Sequence, residues 1–248
     1  MRIGLGFFCS TSDNKLSTNH KVKLHNLNEE TLLRTFEKNL KDFIALLELS
    51  RRMNLAIFRL GSSFIPFASH PNFKLEWLEK LGEVLMKVSS VIRDYGIRIT
   101  MHPGQYVVLS SPNEAVLNRS LAELKYHFWV LDTLGLGSES VVVIHVGGVY
   151  KDKRRVVKRL EEALKRNQWL IKRLALENDE RHYTISEVIE MAEVLGVPAV
   201  FDYYHHMLNP SKFSVDRLIA TCGDKIPEVH LSSAPKKTAS LRRAWRLR

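Results

Sequence analysis

Val141-Val-Val-Ile-His145 is a β-branched run that stops on an imidazole, and four further runs along the chain stop in a similar way. They are Ile97-Arg-Ile-Thr-Met-His102, Leu174-Ala-Leu-Glu177, Val197-Pro-Ala-Val-Phe-Asp202 with His205 and His206 just beyond, and Glu228-Val-His230. Short apolar runs of this kind, separated by stretches with a helical period, predict a parallel sheet, because parallel strands need a crossover long enough to hold a helix. In such sheets ligands bind outside the carboxyl ends of the strands. A histidine or carboxylate at five strand ends therefore predicts a site.

Outward from these runs the same alternation continues. Strands are expected at 2–8, 56–60, 97–101, 141–144, 174–176, 199–201 and 229–231, and helices at 29–53, 75–95, 113–134, 154–173, 186–195 and 214–222. Ser111-Pro-Asn-Glu114 and Thr184-Ile-Ser-Glu187 carry helix-capping residues, and Gly96, Gly135 and Gly196 stand where left-handed C-caps belong. The expected fold class is α/β: a (β/α)8 TIM barrel with seven recognisable strands and the eighth missing. The 248 residues suit that fold, which typically takes about 250. Residues 1–235 form the expected barrel domain, incomplete at its C-terminal end. Residues 236–248 form a basic tail with Trp245 as its only aromatic, no strand pattern and the composition of a helical or disordered segment.

Composition narrows the classes of function. No Pro/Gly/Ser tract marks a linker, and 45% hydrophobic residues match a globular core. No apolar stretch approaches the roughly 20 residues that cross a bilayer, and no secretory signal opens the chain, so a cytoplasmic protein with no membrane partner is expected. Cys9 and Cys222 lie far apart, which excludes a disulfide scaffold and a thiolate metal pair. A net charge of +10 favours an anionic partner such as nucleic acid. Lys236, Lys237, Arg242, Arg243, Arg246 and Arg248 hold much of that excess, and without them it falls to +4.

Imidazoles mixed with carboxylates are the donors expected for Mn2+, Zn2+ or a similar ion, and a carboxylate such as Glu177 can bridge two of them. A multinuclear centre of this kind suits phosphodiester hydrolysis, in which paired ions act on the attacking and leaving oxygens. His70, in Pro66-Phe-Ala-Ser-His-Pro71, follows the second strand and is a candidate contact for metal-bound water or a phosphate. His20, His25, His127 and His182 lie in polar or helical contexts and are assigned no chemistry.

A resemblance then becomes specific. Phe58-Arg-Leu-Gly61, Pro66-Phe-Ala-Ser-His-Pro71, Met101-His-Pro-Gly-Gln-Tyr106, Ser120-Leu-Ala-Glu-Leu-Lys-Tyr126, His145-Val-Gly-Gly148, Leu176-Glu-Asn-Asp-Glu-Arg181, Asp202-Tyr-Tyr-His-His206 and Val229-His-Leu-Ser232 together resemble the ultraviolet damage endonuclease family, in the family's order, up to about Pro235. The resemblance implies a metal-dependent TIM-barrel DNA repair enzyme that cuts the phosphodiester immediately 5′ to a pyrimidine photoproduct, leaving a 3′-hydroxyl and a 5′-phosphate. Its partner would be ultraviolet-damaged double-stranded DNA, with no obligate protein partner. Its cofactors would be two or three divalent ions, Mn2+ before Zn2+, Co2+ or Mg2+. His102, His145 and Glu177 would bind one ion, Glu177, Asp202 and His230 a second, and His205 would contribute to a third. Gln105 and Tyr106 would enter the duplex at the damaged bases, where unstacking is cheaper than in intact DNA.

Three departures accompany the resemblance. Glu228 stands where related sequences often have lysine, and either adds a carboxylate ligand or points outward. Gly6-Phe-Phe-Cys9 lacks a tyrosine common in the family near the N-terminus. Beyond the seventh strand the family continues with another histidine and with an eighth strand ending in a glutamate ligand, and nothing after Pro235 matches either. The expectation that follows is weakened metal binding and low activity. The alternatives are a lesion-binding protein without catalysis, and an abasic-site endonuclease or a sugar isomerase on a similar barrel.

Overall fold

The computed structural model describes residues 4–150 and 152–232, so the tail expected at 236–248 and the missing eighth strand lie outside the described residues. Two compact units divide at Ala175 and Leu176. In the first, β1 (Gly6–Phe8), β2 (Ile57–Leu60), β3 (Arg98–Met101) and β4 (Val142–His145) run parallel in that order. In the second, the end of β5 (Leu174–Glu177) pairs with β6 (Ala199–Asp202), which pairs with β7 (Val229–His230), again in parallel.

Helices fall between strands, as a parallel sheet requires. They are α1 (Glu29–Arg52), α2 (Leu75–Met86), α3 (Ser89–Tyr95), α4 (Glu114–Thr133), α5 (Lys153–Arg166), α6 (Ile185–Leu195), α7 (Tyr203–Leu208) and α8 (Val215–Ala220). Their ends follow the capping chemistry. Asn28 and Thr184 each build a reciprocal capping box, Asn113 accepts from the backbone of Ala115 and Val116, and Gly96 and Gly196 close α3 and α6 with φ of 62° and 66°.

Three boundaries differ from the sequence expectation by more than two residues. The first strand is described only at Gly6–Phe8 rather than over 2–8. The helix expected over 75–95 is two helices that meet at Lys87 and Val88, where side-chain caps are lacking. The stretch 154–173 ends its α-helix at Arg166 and continues as a 3-10 turn, Gln168–Lys172.

The core of the first unit packs Phe36, Phe43, Phe58 and Phe64 in edge-on and tilted contacts with centroids 5.5 to 5.7 Å apart. Among the described residues of that unit, one Lys or Arg side chain is buried. Arg173 is fully enclosed and donates to Asp132 Oδ1 at 2.7 Å and to the carbonyls of Leu136, Gly137 and Ser140. It thereby fixes the turn that leads into β4, and its own carbonyl accepts from the Val142 amide at 2.7 Å. Burying a guanidinium is costly unless its donors are satisfied, and here a carboxylate and three carbonyls do so.

Candidate metal centre

In the second unit the strand ends assemble a cluster. Glu177, Asp202 and His230 are the last residues of β5, β6 and β7, and the β6–β7 register sets Asp202 opposite His230. Asp202 also caps α7, accepting from the His205 amide at 2.8 Å, so the strand end itself turns His205 back toward the carboxylates. Glu177, Asp202 and His205 each offer a ligand atom, and these atoms lie within 4.8 Å of one another. All three are buried or half-buried.

A second layer holds the ligand atoms in place. Asn178, fully buried, accepts from the Asp202 amide at 2.8 Å and donates to the Asp202 carbonyl at 3.0 Å. Glu180 approaches His205 Nδ1 at 3.3 Å. His230 lies between two carboxylates: its Nδ1 meets Glu177 Oε1 in a short contact, and its Nε2 lies 3.0 Å from Glu228 Oε1. Glu228 is buried, so it points inward to His230 rather than outward. His206 does not join the group, because its ring packs between Phe201 and Phe213 with centroids at 5.2 and 5.6 Å.

The donor set fits a divalent cation. Three carboxylates, Glu177, Asp202 and Glu228, surround two imidazoles, His205 and His230, so this set keeps a negative charge even with both rings protonated. Buried anions so arranged repel one another, and a cation at their centre relieves that repulsion. Oxygen and imidazole donors suit Mn2+, Zn2+, Co2+ or Mg2+.

The first unit brings His102 and His145 together, with ring centroids 5.1 Å apart. His102 follows β3 directly and His145 ends β4. The Nδ1–H of His102 donates to the Pro103 carbonyl at 2.9 Å, which fixes the orientation of the ring. His70 lies in the loop after β2, and its Nδ1 accepts from the Asn72 amide at 3.1 Å, so the neutral ring carries its proton on Nε2. Phe67 in that loop has φ of 59°, an uncommon conformation for an aromatic residue, and its ring meets the His70 ring edge-on. Gln105 and Tyr106 form an exposed turn after β3.

His20 pairs with Asp42 Oδ2 at 2.8 Å, and His127 is fully buried with its Nδ1 on the Glu123 carbonyl, consistent with a structural part for both. Burial holds the His127 ring below the ordinary histidine range, although Glu123 opposes the shift. Sequence reasoning missed Asn178, Glu180 and Glu123 as individual residues. Each lies inside a quoted motif, which was the signal available.

A parallel α/β chain whose strand ends gather carboxylates and imidazoles presents a cluster with the donor set of a metal site. The family described as UV-endonuclease UvdE matches residues 9–246, and the chain belongs to this family of DNA endonucleases. The match runs into the basic segment after Pro235. The chain is 31% identical over 204 residues to a UV DNA damage endonuclease of Clostridium perfringens, covering 82% of this chain and 50% of that protein, so it spans half the length of that relative. A crystal structure of SacUVDE superimposes with a TM-score of 0.88 at 32% identity, over 95% of this chain and 82% of that one, which establishes the TIM-barrel type of fold. A D-psicose 3-epimerase shares the fold alone, with a TM-score of 0.58 at 16% identity over 95% and 76% of the two chains. Among the described residues, no helix is long and apolar enough to cross a membrane.

Proposed function

We propose that the chain is a metal-dependent DNA repair endonuclease that hydrolyses the phosphodiester immediately 5′ to ultraviolet photoproducts, leaving a 3′-hydroxyl and a 5′-phosphate, and that it acts in the cytoplasm, with the chromosome if the cell is prokaryotic. The observation that carries this reading is the convergence of Glu177, Asp202 and His205 in a chain matched by the UvdE family over 9–246. The epimerase likeness is one of fold alone and gives a sugar substrate no support.

The proposed ligands are His102 and His145 in the first unit and Glu177, Asp202, His205 and His230 in the second, with Mn2+ as the first choice of ion and two or three ions in all. When bound, such ions activate water and stabilise the attacking and leaving oxygens of an in-line displacement. The remaining roles belong to the chain. Glu177 and Asp202 supply anionic oxygens, and Asn178 fixes Asp202 through two hydrogen bonds. Glu228 accepts from His230 Nε2–H and so turns Nδ1 toward Glu177; it serves as an orienting group rather than as a ligand. His70 presents an Nε2–H donor suited to a phosphate oxygen. Gln105 and Tyr106 enter the duplex where photoproduct stacking is already weakened.

The test is a nicking assay with added Mn2+ on irradiated, abasic and intact duplexes, comparing the chain with Glu177→Gln. Cleavage confined to irradiated duplex and lost in Glu177→Gln is expected. Preference for abasic duplex would replace the substrate, and cleavage that survives Glu177→Gln would remove that residue from the centre. Tight photoproduct binding without cleavage at any divalent ion would leave a lesion-binding protein.

A further inference from the structure

Ser120-Leu-Ala-Glu-Leu-Lys-Tyr126 supplies no residue to the metal centre. It lies inside α4 in the first unit. Glu123, only 6% exposed, faces two loops at once. Its Oε2 accepts from Ser69 Oγ in a short hydrogen bond, and its Oε1 accepts from the Tyr106 hydroxyl at 3.0 Å. Ser69 belongs to the loop after β2 that carries His70, and Tyr106 to the turn after β3. One helical turn onward, the Tyr126 hydroxyl accepts from the Ile65 amide at 2.8 Å, so the same face of α4 grips the β2 loop twice.

Tyr106 is 65% exposed, and such a side chain is ordinarily free to sample rotamers. Here it is held at both ends. Its hydroxyl is on Glu123, and its ring lies against Gly104 so closely that a Cβ there would come within 2.4 Å of the ring. Burial and the Glu123 charge both push the phenol well above its ordinary pKa, so it remains a donor throughout the physiological range. Glu123, Ser69, His70 and Tyr106 line one cleft of about 570 Å³ that also presents Arg119 and Lys21. A buried carboxylate is costly unless its lone pairs are filled, and its donors here are hydroxyls of two separate loops.

We propose that Glu123 is a positioning residue that presets the Gln105–Tyr106 turn and the His70 loop in one arrangement before DNA arrives. This rests on the reading that Gln105 and Tyr106 probe the damaged bases. A preset probe loses less conformational freedom on binding, so the gain belongs to the lesion complex, in which the probe is inserted, and not to sequence-independent contact with intact duplex.

The experiment compares the chain with Glu123→Ala, Tyr106→Phe and the double variant, without added metal so that no cleavage intervenes. Two quantities are read: Kd for a duplex with one photoproduct and for its intact counterpart, and the order of the Tyr106 ring in free protein by NMR relaxation on labelled tyrosine. Expected is a photoproduct complex weaker by at least roughly tenfold in each single variant, the size of one charge-assisted hydrogen bond, with a clearly smaller loss on the intact duplex. The double variant should lose no more than Glu123→Ala alone, because Glu123→Ala already removes the bond that Tyr106→Phe removes. Glu123→Ala should also release the Tyr106 ring. An equally ordered ring in Glu123→Ala, additive losses, or equal weakening on both duplexes would overturn the proposal. If the unaltered chain shows no photoproduct preference while the ring is still released, the lesion reading falls and the positioning role stands. If Glu123→Ala fails to fold, Tyr106→Phe, which removes the same hydrogen bond from the other side, carries the comparison.

Discussion

Glu177 and Glu123 are both buried glutamates, and their surroundings make them opposites. Glu123 accepts from two neutral hydroxyls, those of Ser69 and Tyr106. Glu177 stands with a second carboxylate, Asp202, and with imidazoles that are themselves drawn to Glu180 and Glu228. Hydroxyls satisfy a carboxylate without asking for a further partner. Carboxylates grouped with imidazoles retain a charge that favours a cation. Burial alone therefore does not separate a cation ligand from a positioning residue; what faces the lone pairs does.

The sharpest way to break this contrast is to neutralise each glutamate in turn and weigh the bound metal. Glu177→Gln should lose metal and lower nicking of irradiated duplex by on the order of a thousandfold, about 4 kcal/mol in transition-state stabilisation. Metal content by mass spectrometry and single-turnover nicking check both. Glu123→Ala should leave metal content unchanged. Equal metal loss in both variants would remove the distinction.

Glu228 provides a finer division within the second unit. As an orienting group its removal should cost less than removal of a ligand: Glu228→Gln should weaken Mn2+ binding by about 10- to 100-fold while the stoichiometry stays the same, read by isothermal titration. A lost equivalent of metal would make Glu228 a ligand instead.

How much of this could be read from sequence follows the range of the interactions. Five strand ends were legible because each announces itself locally, as a short apolar run that stops on or just before His102, His145, Glu177, Asp202 or His230. Capping at Thr184 and Asn113 is equally local. α7 went unread because it begins at Tyr203, immediately after the strand, with Asp202 acting both as strand end and as N-cap. The break at Lys87 and Val88 interrupts an amphipathic pattern that itself continues. Glu123 was illegible for another reason: Ser69 is 54 positions away, and helical periodicity says only that position 123 faces inward, not that two loops end on it.

Metal should also stabilise the folded chain, since a preformed carboxylate cluster is absent from the unfolded state. At about 100 times Kd, Mn2+ should add about 2.7 kcal/mol, raising Tm by roughly 5–11 °C for a domain of this size. Chelation should reverse the gain. Glu177→Gln should abolish the response and Glu123→Ala should keep it, which repeats the comparison without any DNA present.

The smallest expected effect concerns His127, which packs under Glu123 with Nδ1 3.6 Å from the carboxylate. Burial outweighs that charge and lowers the ring's pKa below its ordinary 6.5. The sign follows from proton counting: between the folded pKa and 6.5 the unfolded chain binds more protons than the folded one, so stability rises with pH across that window. The contribution is fully present above 6.5 and is lost as pH falls toward the folded value. Melting of metal-free protein from pH 8 to pH 5, with His127→Gln as reference, should therefore show a difference that is flat near neutrality and shrinks on acidification. A difference that grew on acidification would mean that the Glu123 charge, not burial, governs the ring. In that case Glu123 would have a cationic partner after all, and the contrast with Glu177 would narrow to the presence of a second carboxylate.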